Sequence, residues 1–173
     1  GANDTPEITA EVGMSTLVDT AANNTFENVT GQLNGTDRDN SPALTYSLVS
    51  AAAGDYGMLT VNANGSYTYV PNSNAINALG AAADTDVFTV QVSDGQTGTA
   101  TTTVTFNITG GNDTPVAVAD TVAALAENTG VNVSVLTNDT DADAVDAKSL
   151  VSIDTLTASN VTGLGTLSPA ELA

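Results

Sequence analysis

Apolar and polar residues alternate with a period of two along most of the first 113 positions. Leu44, Tyr46 and Leu48 are separated by polar neighbours, as are Phe88, Val90 and Val92, and again Val104, Phe106 and Ile108. Such alternation marks strands with one buried face. Tyr67 and Tyr69 share a face of a strand that starts after Asn64-Gly65, a dipeptide suited to a tight hairpin turn. Asp94-Gly95 with Gly98 reverses the chain between a strand over 87–93 and a long final strand near Thr99–Thr109. Residues 74–83 are the one helix-like piece, predicted as a single short turn or loop. Thr and Val dominate the strands, as half-buried pleated surfaces prefer.

About seven short strands without an amphipathic helix predict an all-β fold, a Greek-key sandwich of immunoglobulin or cadherin type, with a barrel as the structural alternative. The pattern restarts after a recurring junction. Gly110-Gly111-Asn112-Asp113-Thr114-Pro115 repeats Gly1-Ala2-Asn3-Asp4-Thr5-Pro6 almost letter for letter. That interval suits one compact domain, so the chain divides into a module over 1–113 and the N-terminal part of a second over 114–173. In the second, strands are expected at 116–119, 131–136 and 149–156. Sixty residues are too few for a stable sandwich. The segment is therefore expected either to be cut mid-domain or to be completed by strands of another chain.

Charge narrows the function. Among 173 residues, 20 acidic side chains face only Arg38 and Lys148, with no His, for a net charge of −18. Nucleic acid is excluded as a partner because nothing neutralises its phosphates, and anionic membrane surfaces are disfavoured likewise. No apolar run reaches membrane-spanning length, so no direct insertion is expected. The start of the chain lacks a basic n-region followed by an apolar stretch, and it reads as an internal fragment. Catalysis is poorly supported: without His or Cys, and with one Lys, most nucleophile–base pairs are missing. A Lys–Asn isopeptide bond cannot form in a first module that has no lysine, and no disulfide can form. Metal ions are the remaining staple. Triplets such as Asn28-Val29-Thr30 follow from a composition rich in Thr and Asn and need no glycosylation to explain them.

The run from Asn64 to Asn72, N-G-S-Y-T-Y-V-P-N, resembles the signature of the bacterial VCBS repeat. So does F-T-V-Q-V-S-D-G from Phe88 to Gly95, and V-T-F-N-I-T-G-G-N-D-T-P from Val104 to Pro115 is similar to that repeat's closing strand and linker. The resemblance covers residues 5–115. It implies cadherin-like sandwich modules strung in tandem along very large secreted bacterial surface proteins, many of them calcium-dependent RTX adhesins. Residues 114–173 resemble related cadherin-like tandem repeats more loosely, through A-E-N-T-G at 126–130 and N-D-T-D-A-D at 138–143.

Calcium takes six to eight hard oxygen ligands, and three kinds of cluster offer them. Asn3-Asp4 and Asn112-Asp113 occupy the linkers. Asp37-Arg38-Asp39 and Asp141-Ala142-Asp143 follow about thirty residues later, where a sandwich brings the chain back to the same end. Asp94 precedes the last hairpin. The resemblance to cadherins implies Asn3, Asp4, Asp37, Asp39 and Asp94 at the first linker. At the second it implies Asn112, Asp113, Asp141 and Asp143, with Glu27 from the preceding module. Converging carboxylates with almost no cationic side chain nearby repel one another unless a cation binds them. Isolated Asp and Asn more often mark exposed turns. Two departures point to fewer ions per linker than in cadherins. The late acidic pair of cadherins is replaced by Asn72-Ser73-Asn74, and Arg38 sits inside its own acidic motif.

The expected function is a non-enzymatic, calcium-binding extracellular repeat, secreted or at the bacterial cell surface, acting as a rigid spacer in a large adhesin that serves cell adhesion or biofilm formation. Its partners would be neighbouring repeats of the same polypeptide, with other copies of the protein or cell-surface glycans as further candidates. Two alternatives remain: a carbohydrate- or cell-recognition module, and a filament subunit completed by a neighbour's strands. Sugars stack on exposed rings, and only Tyr56 lies outside a strand-core pattern.

Overall fold

A computed structural model describes residues 2–10, 16–39, 43–121, 133–143 and 145–150. The first module is built from β1 (Glu7–Ala10), β2 (Thr16–Val18), β3 (Val29–Thr36), β4 (Thr45–Leu48), β5 (Gly57–Val61), β6 (Ser66–Pro71), the short helix α1 (Ser73–Asn77), β7 (Ala83–Ser93) and β8 (Thr99–Thr109). Two four-stranded sheets form, in the orders β1-β3-β6-β5 and β2-β8-β7-β4. All pairings are antiparallel except β2 with β8, where Leu17 stands opposite Ile108. The chain crosses between sheets after β1, β2, β3, β4 and β6, which gives the Greek-key sandwich expected from the alternation.

The alternating residues point where the pattern placed them. Phe88, Val90, Val104, Phe106 and Ile108 of one sheet are buried against Leu33, Leu59, Tyr67 and Tyr69 of the other, and Val92 is buried as well. Tyr69 stacks on Phe106 with ring centroids 3.9 Å apart, and Phe88 meets both rings edge-on at 6.0 Å. This aromatic knot supplies dispersion and quadrupole contacts across the two layers. Gly65, with φ of +87°, closes the β5–β6 hairpin at the expected Asn64-Gly65 turn.

Several elements differ from expectation. The helix-like stretch shrinks to Ser73–Asn77, capped by the Asn72 side chain accepting from the Ala75 amide. Its Ile76 plugs the core. Strand β7 starts at Ala83 rather than near 87, because Asp84, Thr85 and Asp86 pair with Ile108, Asn107 and Phe106 despite their polarity. Beyond Pro115, the strand expected at 116–119 is reduced to a single bridge between Val116 and Thr140. There the side chains of Asp139 and Asn138 bond the Val118 amide and carbonyl, taking the place of a backbone ladder. The described part of 131–136 is a turn, and Ser149 and Leu150 are not in a strand. Residues 131–132 and 151–156 lie outside the described residues.

Candidate metal centre at the module ends

Strand direction gathers the acidic residues at the two ends of the sandwich. At the N-terminal end, Glu7 pairs with Thr36, so Asp37 and Asp39 emerge beside the linker, and the β7–β8 hairpin delivers Asp94. The Asp4 amide donates to Asp39 Oδ2 at 2.5 Å, and the Asp39 amide donates to Asp37 Oδ1 at 2.8 Å. Asn3 Nδ2 donates to Asp94 Oδ2 at 2.7 Å. The buried Asp94 carboxylate also accepts from the amides of Gln96 and Gly98. A Cβ at residue 98 would collide with that carboxylate, which is why glycine stands there.

The second linker repeats this wiring. The Asp113 amide donates to Asp143 Oδ2 at 2.6 Å, and the Asp143 amide to Asp141 Oδ1 at 3.1 Å. Asn112 Nδ2 reaches the Asp113 carbonyl as Asn3 Nδ2 reaches that of Asp4. The first module adds Asp19, at the end of β2, which is 4 % exposed and accepts from the Thr20 and Gly111 amides. Its loop is clamped by α1: Asn77 exchanges bonds of 2.8 and 3.0 Å with the backbone of Asn24, whose side chain holds Thr20. The linker packs tightly. A Cβ at Gly110 would strike the Gly80 carbonyl, and Asp143 lies over Gly80.

Among the described residues, the buried side-chain atoms left without partners lie in these clusters. Both carboxylate oxygens of Asp113, Oδ1 of Asp143 and Oδ2 of Asp37 are buried and accept no hydrogen bond. Buried polar groups are nearly always satisfied, so such atoms call for a missing ligand. Burial, and then the charges of Asp19, Asp143 and Asp141, hold the Asp113 carboxyl above the usual range. Among the described residues no three acidic side chains converge into a ready-made ligand cage; like charges without a counter-ion favour such separation. The unpartnered oxygens are hard ligands of the kind calcium takes, and a cleft of about 280 Å³ beside the second junction is lined by Asn77, Thr114, Thr140 and Asp141.

The residues named from the sequence thus fall into two groups, Asn3, Asp4, Asp37, Asp39 and Asp94 at one end and Asn112, Asp113, Asp141 and Asp143 at the other. Glu27 joins neither: it is exposed and absent from the charges acting on Asp113, where the first module places Asp19 instead. Asp19 directly follows the short strand Thr16–Val18, in which Leu17 points inward, and three residues carry no periodic signal that would have marked it in the sequence.

The two ends should respond oppositely to acid without a cation. Asn3, and then the Gln96 amide, hold Asp94 below the usual carboxylate range. Its contribution to stability is therefore present above the ordinary value and lost as pH falls through the depressed one. Asp113 is raised, so its ionisation costs stability once pH rises from the ordinary value through the elevated one. Carboxyl carbon shifts measured by NMR in EGTA should show Asp94 titrating below Asp113; the reverse order would contradict this electrostatic picture.

The fold is an all-β Greek-key sandwich with acidic clusters at both ends and the same Asn-Asp and Asp-x-Asp wiring at each. The chain belongs to the bacterial cadherin-like domain family, which it matches over residues 3–110. Among solved structures it is similar to human CDH23 EC21-23, with 18 % identity and a TM-score of 0.43 over 82 % of this chain and 45 % of that one. It is also similar to mouse cadherin-23 EC22-24, with 15 % identity and a TM-score of 0.38 over 66 % of this chain and 36 % of that one. The chain thus spans less than half the length of either. No curated protein matches it significantly. No helix among the described residues is long and apolar enough to cross a membrane.

Proposed function

We propose that the chain is a calcium-binding, non-enzymatic spacer repeat of a large bacterial surface adhesin of the RTX type. The observation that carries this reading is the buried, unpartnered Asp113 carboxylate, surrounded by Asp19, Asp141 and Asp143 with no cationic side chain among the charges acting on it. Asp19, Asp113, Asp141 and Asp143 would hold the ion at the second linker, with Asn112 orienting the Asp113 backbone. Asp4, Asp37 and Asp39 would do so at the first. A bound cation neutralises the clustered carboxylates and ties linker, preceding module and following module together. The VCBS-like segments at 64–72 and 88–95 support the secreted, cell-surface setting and neighbouring repeats as the partners.

Ligation confined to the folded state stabilises by about 2.7 kcal/mol when free ion is a hundredfold above its dissociation constant. An affinity on the order of 10⁻⁴–10⁻³ M is expected of an extracellular module. Calorimetric titration should show Asp113→Asn and Asp39→Asn each weakening calcium binding, with Asp55→Asn, on the exposed 50s loop, leaving it unchanged. Equal effects of all three would mean diffuse screening and no defined site.

A further inference from the structure

Asn77 is buried, although it brings neither apolar surface to the core nor charge to an ion. It belongs to the single turn of α1 and follows Ile76, which is sealed in the core. Its Oδ1 accepts from the Asn24 amide at 2.8 Å, and its Nδ2 donates to the Asn24 carbonyl at 3.0 Å. Both backbone groups of one residue are thereby taken, as a paired strand would take them. An aspartate at 77 would have no donor for that carbonyl, and a leucine would have neither group. From Asn24 the bonds run on toward the junction. Asn24 Oδ1 accepts from the Thr20 amide at 2.8 Å and from the Thr20 hydroxyl at 2.9 Å. The same Thr20 amide reaches Asp19 Oδ1 at 2.9 Å, and Asp19 Oδ2 accepts from Gly111 in the linker. A second tie from α1 is Ser73, whose Oγ accepts from the Phe26 amide at 3.2 Å.

We propose that Asn77 is a positioning residue for the ion at the second junction, holding Asp19 at the linker through Asn24 and Thr20. The role depends on Asp19 being a ligand there, as proposed above. Thr20, Ala21, Ala22, Asn23 and Thr25 are all exposed, so little apolar burial fixes the loop that follows Asp19. Its direction is set by hydrogen bonds, and those of Asn77 lead straight into the core through Ile76. Groups that orient a metal ligand without touching the metal typically contribute about tenfold or more to its affinity. The same turn also reaches the other side of the junction. After α1, Gly80 adopts a φ of +63° and passes beneath Asp143, where a Cβ would come within 3.5 Å of Oδ1. A helical turn with no charge of its own therefore meets carboxylates from both sides of the linker.

The test follows the amides of the whole chain by NMR while calcium chloride is added. The Gly111 and Asp143 amides report the second junction, and the Asp39 amide reports the first. Asn77→Ala should raise the calcium midpoint at Gly111 and Asp143 by roughly tenfold and leave that at Asp39 unchanged. Ile76→Val, which loosens the same turn from the core side, should move neither midpoint. In an Asp19→Asn background, Asn77→Ala should add nothing further, because its effect passes through Asp19. Should Asn77→Ala fail to fold, Asn24→Ala gives the same reading, since it cuts the bonds to Thr20 and keeps those to Asn77. Equal shifts from Asn77→Ala and Ile76→Val, or a full further loss on top of Asp19→Asn, would reduce Asn77 to a structural residue and overturn the proposal. So would unchanged midpoints in Asn77→Ala or Asn24→Ala. Each of these leaves calcium at the junction. Wild-type Gly111 and Asp143 amides that ignore calcium would instead overturn the calcium reading of this junction, and the role of Asn77 with it.

Discussion

Replacing Asp86 by alanine will destabilise the first module by on the order of 3–5 kcal/mol, a loss that calcium will not restore. Asp86 is 3 % exposed, and its carboxylate accepts the Tyr69 hydroxyl at 2.6 Å and the amides of Asp55 and Tyr56 at 2.9 and 3.1 Å. The loop before β5 is thereby fastened to β7 and to the centre of the aromatic knot. A Cβ at Gly54 would press on the same carboxylate at 2.5 Å. Truncating Asp86 strands a fully buried hydroxyl and two amides, each costing about 1–3 kcal/mol. Thermal melts should drop by roughly 4–8 °C per kcal/mol in a domain of this size. Tyr69→Phe should cost less, because Asp86 keeps its amide donors. Combining the two changes should cost less than their sum, since the second removes a donor the first has already orphaned. Full additivity would mean that the bond between them contributes nothing.

Next to this anchor, Tyr56 donates to Asp84 at 2.9 Å. Its phenol is pushed up to about 12 by partial burial and then by the Asp84 carboxylate. The C-terminal end of the module therefore contains two kinds of carboxylate. Asp84 and Asp86 are satisfied by protein donors, whereas Asp113 and one oxygen of Asp143 are not. That contrast separates an acid placed for folding from one placed for a ligand, and acid count alone does not supply it.

The same contrast explains what was legible in the sequence. Period-two runs at 88–92 and 104–108 revealed the sandwich because each places one large apolar side chain per step on one face. The first four residues of β7 were hidden because Asp84 is exposed and the one buried position among them is Asp86, whose burial depends on hydroxyl and amide donors far along the chain. Asp19 was hidden for a related reason: its strand is only Thr16–Val18, too short for a periodic signal. Asn112, Asp113, Asp141 and Asp143 were legible because the junction recurs and the Asp-x-Asp motif follows both copies. In the second module, alternating valines suggested strands at positions where the side chains of Asn138 and Asp139 take up the backbone groups of Val118 instead.

Removing calcium should change the linker more than either sheet. The charges of Asp19, Asp143 and Asp141 all act on Asp113 at one junction, and Gly110 and Gly111 impose little backbone restraint on it. Like charges without a counter-ion repel, so ionising these carboxylates in the absence of calcium favours separation of the linker from its neighbours. With the ion in place, the same carboxylates hold Gly80, the linker and the 141–143 turn together. The chain has no cysteine, so spin labels attach only where thiols are introduced, for instance by Thr60→Cys and Val145→Cys at exposed positions. Pulsed distance measurements should give a narrow distribution in calcium and a broad one in EGTA. Asp113→Ala should broaden it even in calcium, while the first module's melting, which depends on the aromatic knot and Asp86, changes little. A distribution that stays narrow in EGTA would mean that the packing of Gly110 against Gly80 sets the geometry, and the calcium-stiffened spacer would be wrong.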